Sequence, residues 1–165
     1  MPSLETTEAS EIISWAEIHK DCRKLVQYLV TQPAFQGIIC VSRGGLIPGA
    51  ILARELNIKM IETICVESYS DNSTDISSSV KLLKEAHVKN QGAGWLIVDD
   101  LVDSGNTAEF VRASLPNARF VTLYAKAKGR PFVDHFVREF DQETWLFFPW
   151  DTALQYKKPM VKEGL

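Results

Sequence analysis

Leu96-Ile97-Val98-Asp99-Asp100-Leu101-Val102-Asp103-Ser104-Gly105-Asn106-Thr107-Ala108 carries an apolar run into two adjacent carboxylates, a third carboxylate three residues on, and a turn of small polar residues. An unbroken Leu-Ile-Val run suits a strand covered on both faces, so the paired acids are expected at a strand end. Asp99 and Asp100 can accept hydrogen bonds from vicinal ribose hydroxyls, or hold a hard cation directly or through its waters. From Asp103 to Thr107 the chain offers consecutive backbone N–H groups and two hydroxyls at a helix start, an anion nest suited to a phosphate monoester. A single aspartate here would be read as a helix cap or a turn residue. Two acids, a third, and then Ser-Gly-Asn-Thr favour binding chemistry over capping.

On either side of this stretch short apolar runs alternate with amphipathic ones, at 38–41, 48–56, 60–66, 95–98, 107–115 and 120–124. That rhythm predicts an α/β fold with a central, mainly parallel sheet flanked by helices. In such sheets ligands bind beyond the carboxyl ends of the strands. Upstream, Ser14-Trp15-Ala16-Glu17 reads as a capping box. Trp15, Ile18, Cys22, Leu25, Val26 and Leu29 then recur at helical spacing to about Val30. Residues 1–11 are polar and expected to be loose, residues 68–80 are rich in Ser, Asp, Asn and Thr and expected to form a mobile loop, and the aromatic-rich end suggests a small cap over the sheet. The 165 residues, 45% hydrophobic and 24% charged, are expected to form one domain.

A net charge of −3 gives no general attraction to nucleic acid or anionic lipid. No apolar run is long enough to span a bilayer, and the N-terminus lacks a signal-peptide pattern, so a cytoplasmic location is expected. Cys22, Cys40 and Cys65 read as reduced core residues. His19, His87 and His135 form neither a metal-ligand cluster nor part of a hydrolytic triad pattern.

A second turn follows the apolar run at 38–41. In Ser42-Arg43-Gly44-Gly45-Leu46-Ile47-Pro48-Gly49 the glycine pair permits backbone to approach a ligand closely before a helix begins. By itself the pair is equally compatible with an ordinary strand-to-helix connection and a solvated Arg43.

Taken together these segments resemble the type I phosphoribosyltransferases, whose signature is a hydrophobic strand, two acids, an apolar spacer and a phosphate loop. Here the signature stands as IVDDLVDSGNT, with Ser104 keeping a hydroxyl and Asn106 in place of the usual second glycine. The run VSRGGLIPGAILAREL looks like that of the bacterial xanthine-guanine members. The resemblance implies a phosphoribosyl pyrophosphate site at Arg43, Gly44, Gly45, Asp99, Asp100, Asp103, Ser104, Gly105, Asn106 and Thr107. Magnesium would be held at Asp100. It further implies a cis peptide bond in the Ser-Arg-Gly-Gly turn and a purine site of Asp103, Lys126, Trp145 and Leu146, with Lys126 facing an exocyclic oxygen. Trp145 would provide the stacking face, and plain core is its competing reading. Asp103 is the candidate catalytic residue, managing the proton lost as N9 of the base attacks.

Ser68 and Tyr69 match the family's lid, and a small C-terminal hood would cover the base. Relatives usually carry an arginine just after that pair; here no cation precedes Lys81, so either Lys81 or Lys84 substitutes or pyrophosphate is held more weakly. The activity implied is purine salvage, joining guanine, xanthine or hypoxanthine to phosphoribosyl pyrophosphate. The resemblance also implies a homotetramer and admits peripheral association with the inner membrane. A phosphoribosyltransferase for another base is the alternative within the family, and two other classes compete: a non-catalytic, nucleic-acid-binding sensor of phosphoribosyl pyrophosphate, for which the sequence offers no basic stripe or helix-turn-helix segment, and an aspartate-dependent phosphohydrolase, which leaves SRGG, Lys126 and Trp145 unexplained.

Overall fold

The computed structural model describes residues 9–68 and 80–151. Its centre is a six-stranded sheet in the order β4-β3-β2-β5-β6-β7, built from β2 (Gly37–Ser42), β3 (Ile61–Ser68), β4 (Val80–Lys84), β5 (Trp95–Val102), β6 (Arg119–Lys126) and β7 (His135–Phe140). All neighbours run parallel except β3 and β4. The inner strands β2, β5 and β6 are the apolar runs of the sequence, and Ile38, Ile39, Leu96, Ile97, Val98, Phe120 and Val121 are fully buried because helices cover both faces.

One face is covered by α1 (Trp15–Leu29) and α2 (Leu46–Glu55), which place Ile18, Cys22, Leu25, Leu29 and Leu52 against Leu96, Val98, Val121 and Leu123. The other face is covered by α3 (Asn106–Ser114), whose Ala108 and Val111 lie with Ile39, Ile97 and Phe120. The capping box starts α1 as expected: the Glu17 N–H donates to the Ser14 hydroxyl at 3.2 Å, and the Ser14 N–H donates to the Glu17 carboxylate at 2.8 Å.

From β2 the chain crosses through α2 to β3 on one side. From β5 it crosses through α3 to β6 on the other side. The sheet therefore splits its connections between β2 and β5, and the carboxyl ends of those two strands are where such a topology places a ligand crevice.

Three expectations change. Ser10–Ile12 (β1), partly inside the segment read as loose, pairs in parallel with Trp145–Phe147 (β8), so that backbone hydrogen bonds tie the N-terminal segment to the cap. Apolar alternation across three residues is too short to announce such a strand. The loop expected at 68–80 is bracketed by strand residues, with Ser68 ending β3 opposite Val80, which begins β4. Its interior lies outside the described residues. Of the cysteines, Cys22 and Cys40 are buried but Cys65 is only half-buried. None of the described helices is long and apolar enough to cross a membrane.

Candidate active site

The acidic pair lies inside β5, two residues before its end, since Asp99 pairs with Thr122, Leu101 with Tyr124 and Val102 with Ala125. Extended backbone continues through the carboxylates because Leu101 and Val102 keep the ladder to β6. Both acids are half-buried and adjacent. Asp99 accepts from the Asp100 N–H at 2.9 Å, and Asp100 accepts from the Leu101 N–H at 2.6 Å. Burial, followed by the neighbouring Asp100 charge, holds the Asp99 carboxyl well above the usual carboxylate range. Burial is also the main cause that pushes Asp100 up to about 6, with the negative charge of Asp151 adding to it and the Leu101 N–H opposing it.

Two adjacent carboxyls held above their usual range are groups whose ionised form a nearby cation would favour. Among the described residues no group of three or more His, Cys, Asp or Glu forms a complete metal cage. Two carboxylates leaving most coordination positions to water and substrate oxygens is the donor set that suits a small hard divalent ion.

The Ser42–Gly45 turn meets this pair directly. A Cβ on Gly44 would lie 2.5 Å from the Asp100 carboxyl carbon and Oδ1, and one on Gly45 would lie 2.1 Å from the Val98 carbonyl oxygen. The bare backbone of β2's turn therefore rests on the end of β5: a side chain at Gly45 would run into backbone, and one at Gly44 would displace the Asp100 carboxylate. The Gly45 N–H donates to the Val41 carbonyl at 2.8 Å, and α2 starts at once afterwards. The Ser42–Arg43 peptide bond is cis, as the resemblance implies, and Arg43 is exposed at the crevice edge.

Beyond β5, Asp103 and Ser104 are exposed, Gly105 is buried, and α3 opens at Asn106. Gly105 carries the left-handed backbone, at φ 93°. Asn106 does not, so the replacement of the family's second glycine falls on a helical position any residue adopts, and the left-handed tolerance of asparagine is not called upon. The Asn106 N–H reaches the Ser104 hydroxyl at 3.4 Å, and the first i−4 bond of α3 runs from the Glu109 N–H to the Gly105 carbonyl at 2.7 Å, so the N–H groups of Thr107 and Ala108 precede the helix's own ladder.

Lys126, the last residue of β6, is 4% exposed. Its ammonium donates to Asp103 Oδ2 at 2.9 Å, while Gln142 Nε2 donates to Asp103 Oδ1 at 2.8 Å. Asp103 and Lys126 thus form a pair, which sequence reasoning placed in one site without seeing the contact. Lys128 and Arg130 are surface residues. Gln142 was missed: it lies in the turn after β7, and nothing in Asp141-Gln142-Glu143-Thr144 marks it apart from its place three residues before Trp145.

Trp145 is 58% exposed, which disposes of the plain-core reading, and Leu146 beside it is buried. The aromatic end is laid together by stacking, Phe148 on Trp150 at 4.8 Å and Trp150 edge-on to Trp15 at 5.9 Å.

Ser68 is exposed at the end of β3, and Tyr69 lies outside the described residues. Lys84 is not available as a substitute for the lid arginine. Its ammonium is held by Glu62 at 2.6 Å and by the carbonyls of Thr63 and Glu85, and Glu62 is in turn held down to about 2, first by that lysine's hydrogen bond. Lys81 remains, facing Glu67 across the β3–β4 ladder.

Residues 8–157 match the family described as the phosphoribosyl transferase domain. The chain belongs to that family. It is 48% identical over 151 residues to a xanthine-guanine phosphoribosyltransferase of Nitratidesulfovibrio vulgaris, an alignment covering 92% of this chain and 90% of the relative. Among solved structures it resembles the xanthine-guanine-hypoxanthine phosphoribosyltransferase of Helicobacter pylori, with TM-score 0.71 and 25% identity over 87% of this chain and 94% of that one. The fold is likewise that of a purine phosphoribosyltransferase from Pyrococcus horikoshii, with TM-score 0.71 and 24% identity over 94% and 99% of the two chains. In the phosphoribosyltransferase frame the crevice between β2 and β5 is where the sequence signature and the sheet's topological break coincide.

Proposed function

We infer that the chain is a purine salvage phosphoribosyltransferase that joins guanine, xanthine or hypoxanthine to the ribose of phosphoribosyl pyrophosphate and releases pyrophosphate. The observation that carries this reading is the close approach of the bare Gly44–Gly45 backbone to Asp100 and the Val98 carbonyl at the end of β5, which brings the two signature turns together. Arg43 and the amides of its turn anchor the pyrophosphate. Asp99 and Asp100 receive the ribose hydroxyls, and the turn from Asp103 to Thr107 takes the 5′-phosphate at the start of α3. Magnesium would be held at Asp100 with Asp99 beside it, and when bound it supplies charge neutralisation for the departing pyrophosphate.

Displacement at ribose C1 passes through a cationic, oxocarbenium-like state, so no covalent nucleophile is required. The site's work is to hold charges in place before they develop. N9 of the base attacks C1 as the bond to pyrophosphate breaks, and Asp103, near N7, manages the proton the base loses. Lys126 presents its ammonium to the exocyclic oxygen, which favours oxopurines and disfavours adenine. Trp145 provides the exposed stacking face and Leu146 a backbone carbonyl for the two-position. Ser68 and Tyr69 close over the reacting centre and exclude water, with Lys81 supplying the lid cation.

The chain functions as one domain in the cytoplasm and as a homo-oligomer, tetrameric by resemblance. Exposed Met60, Ile61 and Leu83 support self-association. Nucleotide formation from phosphoribosyl pyrophosphate, magnesium and each of guanine, xanthine, hypoxanthine, adenine and orotate tests the reading. Turnover of the oxopurines, slowed by roughly 10²- to 10⁴-fold in Asp103→Ala, is the expected result. Turnover confined to adenine or orotate, or none at all, overturns it.

A further inference from the structure

Asp103 is half exposed, its side chain 51% accessible, yet the buried Lys126 depends on it for charge pairing. A carboxylate on an exposed turn has free rotation about its side-chain bonds unless something fixes its second oxygen. Gln142 does so: its Nε2 donates to Asp103 Oδ1 at 2.8 Å, while Lys126 occupies Oδ2 at 2.9 Å. The other end of the Gln142 amide is also committed, because Oε1 accepts from the Lys128 N–H at 3.0 Å. These two contacts determine which way the amide faces. Turned over, it would set oxygen against carboxylate and NH2 against a backbone N–H, two repulsions in place of two hydrogen bonds.

We propose that Gln142 is a positioning residue that clamps the Asp103 carboxylate against Lys126, tying the proton-handling group to the segment that leads into the base-stacking Trp145. The inference rests on the role given to Asp103 in the proposed function. The clamp spans three elements: the turn after β5, the loop after β6 at Lys128, whose Gly129 already packs on Val102 and Asp103, and the turn between β7 and β8. Gln142 needs no contact with either substrate. It acts by removing rotamers of Asp103 in which the carboxylate leaves both Lys126 and the base.

The test is a double-mutant cycle on kcat and KM for guanine and phosphoribosyl pyrophosphate, using the full chain. Gln142→Ala should lower kcat by about tenfold to a hundredfold, the effect of misplacing a reacting group by around an ångström, with KM for phosphoribosyl pyrophosphate unchanged. Gln142→Glu keeps an acceptor for the Lys128 N–H but sets a carboxylate oxygen against Asp103. It should lose at least as much kcat as the alanine variant, which separates the contact with Asp103 from the tether to Lys128. In an Asp103→Ala background, Gln142→Ala should have no further effect on kcat, whereas a merely structural role would lower kcat by the same factor in both backgrounds.

Full kcat in Gln142→Glu, or additive effects in the double variant, overturns the clamp while leaving Asp103 its role. Full kcat in Asp103→Ala overturns both, and is recognised by that single variant alone.

Discussion

Gly44→Ala and Gly45→Ala add the same methyl group one residue apart, yet the structure assigns them different consequences. At Gly44 the new Cβ meets Asp100 Oδ1 at 2.5 Å and Oδ2 at 2.6 Å; ordinary contact begins at 3.4 Å, so the carboxylate must retreat by about 0.9 Å. It can do so by side-chain rotation, giving up the 2.6 Å hydrogen bond from the Leu101 N–H. The stability loss should be about 1 kcal/mol, the worth of one hydrogen bond, or some 2–4 °C in Tm for a chain of this size. Activity should suffer far more, because a displacement near 1 Å in a binding carboxylate costs on the order of a hundredfold in kcat/KM.

At Gly45 the obstacles are backbone, the Val98 carbonyl at 2.1 Å and the Val41 carbonyl at 2.9 Å, and neither can rotate away. The strands must part or α2 must shift, an overpacking cost of about 1–3 kcal/mol or more. Steady-state kinetics and thermal unfolding of both variants decide the matter. Wild-type kcat/KM in Gly44→Ala, or an equal Tm loss in both variants, would refute the assignment of Gly44 to the carboxylate and Gly45 to the sheet.

Tyr124→Phe removes a 3.0 Å hydrogen bond to Asp21, which is 2% exposed; since Lys24 and Arg138 still face that carboxylate, denaturant titration should show a loss of about 1.5–3 kcal/mol rather than unfolding. Lys81→Ala should raise KM for phosphoribosyl pyrophosphate several-fold with little change in Tm, whereas Lys84→Met should lower Tm and leave that KM in place, because Lys84 is spent on Glu62. For pH, the folded Asp100 lies near 6, above its unfolded value, so its contribution to stability is fully present below about pH 4 and is lost as pH rises through 6. Glu62, held down to about 2, loses its contribution only as pH falls below 4.5 and leaves this window to the acid pair. Thermal scans without divalent cation should therefore show Asp100→Asn flattening the decline between pH 4.5 and 7, and added magnesium should stabilise the wild type increasingly over that range.

The fold was legible where a residue's burial has a one-dimensional signature. Ile38, Ile39, Leu96, Ile97 and Phe120 are buried on both faces and appear as unbroken apolar runs, and the Ser14–Glu17 box announces its helix through side chains that serve backbone groups three residues away. Strands such as β4, with Lys81, Leu82, Leu83 and Lys84 all exposed at the sheet's edge, carry no such pattern. The same holds for β1 and β8, whose pairing is long-range and only three residues deep.

Within the site, the acids and glycines could be found because their chemistry is local to each turn. The partners of Asp103 could not: Lys126 and Gln142 lie 23 and 39 residues away, and only the sheet order brings them to one carboxylate. The placement of Asp99 and Asp100 within β5, rather than after it, likewise depends on the ladder with β6, which no local residue encodes.

The acidic end of β5 is the proposed place where phosphoribosyl pyrophosphate is held and its ribose transferred. The most direct measurement is the initial rate of guanosine monophosphate formation from guanine, phosphoribosyl pyrophosphate and magnesium, in the wild type and in a folded Asp99→Asn/Asp100→Asn double variant. A wild-type rate that falls by about 10²- to 10³-fold in the double variant, with circular dichroism unchanged, is the predicted result. A double variant that keeps the wild-type rate would mean that phosphoribosyl pyrophosphate is not held at Asp99 and Asp100.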